Sequence, residues 1–272
     1  MLALTIFALL TQLLCTTGAL PYNSPYTGPA CAGPDAGFGF NRNSDSYSWR
    51  EPIPAGSGRR TSDVSSVAVS SDRNMLYAKI DYGNVSAWQL AAPHSLLWTR
   101  DIGRCSSTYF APTLTADERT LLVACTHNID DPNGPSNLFA LNAMTGEIMW
   151  NVSANGYYMS TPTLGADGAI FSVIRTTDGS GGLLVLEADG SPRFAYNDES
   201  MDASGMQPAL SPDGSTVYVT GGLIGGSIGS GRLFAISTAT GAASATFNTT
   251  TKIRGSPTVA LDGTIIVGLE CE

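Results

Sequence analysis

The residues of this chain best equipped for chemistry recur at a nearly constant spacing. Aspartates stand at Asp72, Asp117, Asp167, Asp213 and Asp262, separated by 45, 50, 46 and 49 positions. A series of oxygen donors invites a calcium reading. Each, however, lies in a short polar stretch before an apolar run, and glycine follows at Asp167-Gly168, Asp213-Gly214 and Asp262-Gly263. Aspartate hydrogen-bonds its own backbone in tight turns and glycine takes positive φ, so turn chemistry accounts for the series. Asp130-Asp131-Pro132-Asn133-Gly134 offers oxygens without the spacing and closing Glu of a calcium loop. The glycine-rich stretch at 221–231 lacks the Lys-Ser/Thr ending of a phosphate loop and leads into a strand, not a helix. His94 and His127 stand apart, outside any zinc-type cluster, and read as surface histidines. No serine occupies a Gly-x-Ser-x-Gly elbow. The expectation is therefore no catalytic, cofactor-binding or metal-ligating residue.

The elements that carry these turns repeat as well. The second unit shows four strand candidates: 109–114, 120–125, Leu138-Phe139-Ala140-Leu141 and Glu147-Ile148-Met149-Trp150, separated by polar or glycine-containing turns. Fourth-strand aromatics fall at Trp49, Trp98, Trp150, Phe194 and Phe247, in step with the aspartates. They read as structural residues packing between units. Four short antiparallel strands at this period describe a blade of a β-propeller. The fold expected is all-β, an array of about four full blades with partial N- and C-terminal units. The last unit carries only its first two strands, so the ring does not close cleanly.

Leu138-Phe139-Ala140-Leu141-Asn142-Ala143-Met144-Thr145-Gly146-Glu147-Ile148-Met149-Trp150 closely resembles the repeat of the pyrroloquinoline-quinone-like (quinoprotein-like) propeller family. Leu233 to Gly241 is similar to it, and the family's paired Ser-Pro-Thr-x-x-x-Asp-Gly element fits at 160–168 and 256–263. The resemblance spans roughly residues 46–268. It implies two branches: alcohol dehydrogenases that hold the quinone and calcium in the propeller axis, and cofactor-free scaffolds such as a bacterial outer-membrane assembly lipoprotein. The dehydrogenases carry two adjacent cysteines over the quinone, and no two cysteines are adjacent here. Neither quinone nor calcium is expected as a cofactor.

Residues 1–19 read as a signal peptide, apolar from Leu2 to Leu14 and ending at the small residues Thr17-Gly18-Ala19, with an uncleaved anchor as the competing reading. A Pro/Gly/Asn-rich coil follows at 20–45, and the repeats occupy 46–272. After removal of Cys15, four cysteines remain: Cys31, Cys105, Cys125 and Cys271. An even count in an exported chain suggests two disulfides. Pairing Thr115 with Thr120 across their turn sets Phe110 opposite Cys125, with Cys105 just beyond, so Cys105–Cys125 is feasible and Cys31–Cys271 remains. Sequons at Asn84, Asn151 and Asn248 agree with export. The net charge of −9 argues against a nucleic-acid partner.

The function expected is a secreted or lumenal binding or scaffold module without a catalytic centre, presenting blade loops to a protein or other macromolecule. The alternative is a quinoprotein dehydrogenase-like enzyme or a fragment of one, and a truncated product without independent function is a third reading. Non-reducing peptide mapping of the exported protein is expected to find Cys31 bonded to Cys271. Either residue recovered as a free thiol or in another pair refutes this bridge.

Overall fold

The computed structural model describes residues 67–80, 83–91, 93–103, 105, 110–126, 136–154, 158–175, 181–198, 201–202, 206–223, 231–253 and 255–269. Trp49, Cys31, Cys271, His127 and the Asp130-Asp131 stretch lie outside them, as does most of the glycine-rich 221–231 segment. Every regular element among the described residues is a β-strand.

The first blade runs β1 (Ala68–Val69), β2 (Met75–Ile80), β3 (Asn84–Gln89) and β4 (Ser95–Asp101), paired in that order. The second repeats it with β5 (Thr113–Leu114), β6 (Thr120–Cys125), β7 (Ser136–Asn142) and β8 (Ile148–Ala154). In the third, β9 (Tyr158–Met159) and β10 (Thr163–Leu164) both pair with β11 (Ile170–Arg175), followed by β12 (Gly181–Leu186) and β13 (Pro192–Asp198). The fourth uses β14 (Met201–Asp202) and β15 (Ala209–Leu210) beside β16 (Thr216–Leu223), then β17 (Gly231–Ser237) and β18 (Ala243–Thr249). A fifth sheet contains β19 (Thr258–Val259) and β20 (Ile265–Ile266). All pairs are antiparallel. Each third-to-fourth strand pair carries one register shift, at Ala87/Trp88, Ala140/Leu141, Val185/Leu186 and Ala235/Ile236.

The second and third strands are apolar on both faces because a blade is sandwiched on both sides. Alternate side chains point to opposite faces of a strand. Leu121 and Val123 therefore pack against Tyr77, Val85 and Ala87 of the first blade. Their neighbours Leu122 and Ala124 pack against Ile170 and Ile174 of the third. Phe171 and Val173 continue the pattern against Val217, Val219 and Phe234 of the fourth. Tyr218 and Leu233 meet Ile265 of the fifth sheet. The fourth strands are the outermost of each sheet and alternate between exposed and half-buried, as β4 and β8 show.

The fourth-strand aromatics join successive blades in a repeated way. Trp98, Trp150 and Phe194 each lie over a left-handed glycine in the next blade's turn between third and fourth strands. A Cβ added at Gly146 (φ 71°) would stand 2.5 Å from Trp98, one at Gly190 (φ 85°) 2.8 Å from Trp150, and one at Gly241 (φ 70°) 2.7 Å from Phe194. These glycines are required twice over, by backbone conformation and by the ring above them. Trp98 also donates its indole N–H to the Ala143 carbonyl at 3.0 Å.

Gly190→Ala is expected to lose on the order of 2–4 kcal/mol, combining left-handed strain with overpacking against Trp150. Gly168→Ala suffers the same conformational penalty (φ 84°) but meets only the Ala188 methyl at 3.4 Å, an ordinary contact. It should lose about 1 kcal/mol. Denaturant unfolding of both variants decides: equal losses would mean that the ring contact contributes nothing.

Candidate functional site

The repeated carboxylates serve their own turns. Asp72 accepts from the Asn74 N–H at 2.9 Å, Asp117 from Arg119 at 3.1 Å and Asp167 from Ala169 at 3.1 Å. Asp213 accepts from Ser215 at 3.0 Å and Asp262 from Thr264 at 2.9 Å. Hydroxyls complete several of these turns, with Thr115 donating to Asp117 at 2.7 Å and Ser211 to Asp213 at 2.6 Å. Hydrogen bonds to the ionised form hold all five carboxyls below the ordinary value, Asp213 down to about 2. Glycine takes the left-handed position at Gly168, Gly214 and Gly263. In the first two units that position holds Arg73 (φ 59°) and Glu118 (φ 58°) instead. Asp167 has a second role, pairing at 2.7 Å with Arg193, which also binds Glu187 at 2.6 Å.

The first strands of the blades neighbour one another, β1 beside β5 and β15 beside β19. Threonines stitch the third to its neighbours there. Thr113 donates to the Pro162 carbonyl at 3.0 Å and Thr163 to the Pro208 carbonyl at 2.6 Å. Farther on, the Gln207 N–H donates to Ser256 at 2.9 Å, and Thr220 donates to the Gly255 carbonyl at 3.0 Å. The threonines of Pro112-Thr113 and Pro162-Thr163 are thus inter-blade hydrogen-bond donors.

Sequence reasoning did not single out Lys79. It is wholly buried on β2, and its ammonium donates to the Ala124 carbonyl of the second blade at 3.1 Å. Its Nζ lies 6.0 Å from the centre of the Phe110 ring. Burial pulls its pKa down from 10.5 to about 7. Only its place among β-formers in Met75–Ile80 hinted at burial, since strand alternation cannot tell a buried lysine from an exposed one.

The remaining sites are dispersed. Cys105 and Cys125 form a disulfide with Cα atoms 5.2 Å apart, tying the connector after β4 to the end of β6. His94 is half-buried and sits in the β3–β4 turn at φ 30°. Asn151 on β8 and Asn248 on β18 are exposed, and the Asn248 side-chain oxygen accepts from Arg232 at 2.7 Å. Asn84 on β3 is half-buried. Trp98, Trp150 and Phe194 are half-buried under their neighbours, whereas Phe247 is 38% exposed. Among the described residues, no three His, Cys, Asp or Glu side chains converge as a metal site would require.

A sequence profile described as the outer membrane protein assembly factor BamB matches residues 94–268. No curated protein matches the sequence. Among solved structures, BamB from Moraxella catarrhalis is similar at 20% identity and a TM-score of 0.50, over 72% of this chain and 52% of that one. The Dos1 propeller is similar at 17% identity and a TM-score of 0.54, over 76% of this chain and 52% of that one. The chain thus spans about half the length of the solved propellers it matches.

Lys79 yields a pH signature. Between pH 7 and 9.5 the unfolded chain keeps a lysine proton that the folded protein has released, so stability should climb with pH, by at most about 1.4 kcal/mol per unit. Lys79→Met should flatten this slope. Urea midpoints at pH 7, 8 and 9 measure it, and parallel slopes in the two proteins would refute it.

Proposed function

The chain belongs to the pyrroloquinoline-quinone-like repeat family of the outer membrane protein assembly factor BamB, and on that premise we propose a secreted or lumenal β-propeller that binds another protein through the loops between its strands, with no catalytic centre of its own. One observation supports this reading above the others. The residues that recur, and that looked equipped for chemistry, are engaged in holding the array together: carboxylates on their own turns, aromatics on the next blade's glycines, threonines on proline carbonyls. The variation between units is left to the loops, which is where a rigid scaffold carries recognition. The family description names an assembly factor, and protein binding is the corresponding role proposed here.

Export fits the apolar stretch at the N-terminus, the disulfide and the exposed sequon asparagines Asn151 and Asn248. Both asparagines lie on outermost strands, where a glycan would shield exposed backbone edges from pairing with other chains. The acidic net charge fits a protein partner better than nucleic acid. No helix among the described residues is long and apolar enough to cross a membrane.

Titration of the full chain with pyrroloquinoline quinone and calcium, followed by absorbance and by dye-linked oxidation of alcohols and sugars, separates this reading from a dehydrogenase. The expected outcome is no saturable binding and no dye reduction. Saturable quinone binding with turnover would replace the scaffold with an enzyme.

A further inference from the structure

Exposed apolar side chains are unevenly spread over the array. Nine large hydrophobic residues among those described are exposed, and five of them belong to one region: Leu96 and Leu97 on β4, Met144 in the β7–β8 turn, and Ile148 and Met149 on β8. Trp98 lies over Gly146, which brings its neighbour Leu97 beside the turn that leads into β8. The corresponding start of the outer strand is Pro192-Arg193 in the third blade and Ala243-Ser244 in the fourth. The second blade has a four- or five-stranded sheet on each side, so the exposure of Met144, Ile148 and Met149 does not come from a missing neighbour. Clustered apolar surface of this kind marks a place that something covers.

The register of β8 identifies the cover. Ile148 stands opposite Leu141, and Asn151 opposite Phe139. Leu141 and Phe139 both pack toward the first blade, so Ile148 and Asn151 share that face of β8. Two rungs of the ladder, about 7 Å, separate them. Asn151 opens the sequon Asn151-Val152-Ser153, and both its asparagine and its serine are exposed. The same ladder position holds Thr99, Ala195 and Thr246 in the other three full blades. The sequon of the fourth blade, at Asn248, lies two rungs farther out, opposite Arg232. An acceptor asparagine and an exposed apolar groove therefore coincide at the junction of the first two outer strands.

We propose that Asn151 carries an N-linked glycan whose first sugar rings lie over Ile148 and Leu97 and cover this groove. The proposal rests on the export reading, since the donor is an oligosaccharide on a lipid diphosphate in the secretory pathway. Nδ2 of Asn151 attacks the anomeric carbon. The N–C bond forms as the C–O bond to the diphosphate breaks, and the amide proton is lost as the lipid diphosphate leaves. The C–H faces of the sugar rings meet the aliphatic side chains, and the hydroxyls face water. A covalent cover is favoured over a protein partner because the acceptor stands inside the groove, where a bulky glycan keeps other chains out. The site lies on the outer strands, apart from the loops to which partner binding is assigned.

The test is secretion from insect cells of two forms: all 272 residues, and residues 20–272 behind a proven secretion signal. N-glycosidase treatment and peptide mass spectrometry are expected to find Asn151 converted to aspartate in both. If only the 272-residue form fails to reach the medium, the export reading falls and the second form still decides Asn151. Asn151 recovered unmodified from that secreted second form overturns the proposal. Cover is read with a fluorescent apolar dye. Asn151→Gln should bind about twofold more dye than the unchanged chain, and adding Ile148→Ser should reverse the gain. Asn248→Gln, which removes the sequon on β18, should leave dye binding unchanged. Releasing the glycans from the folded, unchanged protein should reproduce the gain, which keeps the test valid even if Asn151→Gln fails to fold. No gain on release, or an equal gain from Asn248→Gln, would mean that no glycan covers Ile148 and would overturn the proposal.

Discussion

An aromatic ring packed against a left-handed glycine is the contact on which this architecture turns. A four-stranded blade has two apolar faces and can satisfy neither by itself, so its stability comes from its neighbours. Burial between blades is nondirectional and would tolerate sliding. The ring-on-glycine contact is directional, since only a residue without Cβ leaves room for Trp98, Trp150 or Phe194. It therefore sets how each blade is placed on the last, near the rim. Near the first strands the threonine-to-proline-carbonyl bonds do the same. Between these two clamps the aliphatic layers of the second and third strands fill the space.

Charge plays a local part. The repeated aspartates are exposed and tied to backbone amides of their own turns, and Asp167 alone of the five adds an ion pair, with Arg193. Lys79 is the exception. Its ammonium, wholly buried, crosses from the first blade to a carbonyl of the second. A buried charge of this kind is costly to desolvate, and it selects one arrangement of two sheets in which its hydrogen bond can form.

What could be read from the sequence was whatever depends on short-range chemistry at a fixed period. The aspartate turns and the fourth-strand aromatics were visible because turn formation is local and the period repeats them five times. The register across the turn at Asp117 was enough to bring Cys105 near Cys125. The first two strands of the last unit, β19 and β20, were visible for the same reason. Other features were not legible. Arg73, Glu118 and His94 take positive φ where glycine would be expected, and nothing in their type announces it. The depth of Lys79 depends on two blades meeting, a long-range event that the Met75–Ile80 pattern does not encode. The partner of each aromatic lies 40 to 50 residues away, as with Trp98 and Gly146 or Phe194 and Gly241.

The Cys105–Cys125 bridge also has a mechanical meaning. It joins the connector behind the first blade directly to the second strand of the next. A pull along the chain would pass through the sulfurs and bypass the segment between them, including β5 and its turn. About 70 Å of contour, the reach of twenty extended residues, would stay locked until the bond was reduced. In an array whose blades peel one after another, that places a mechanical stop at the junction of the first two.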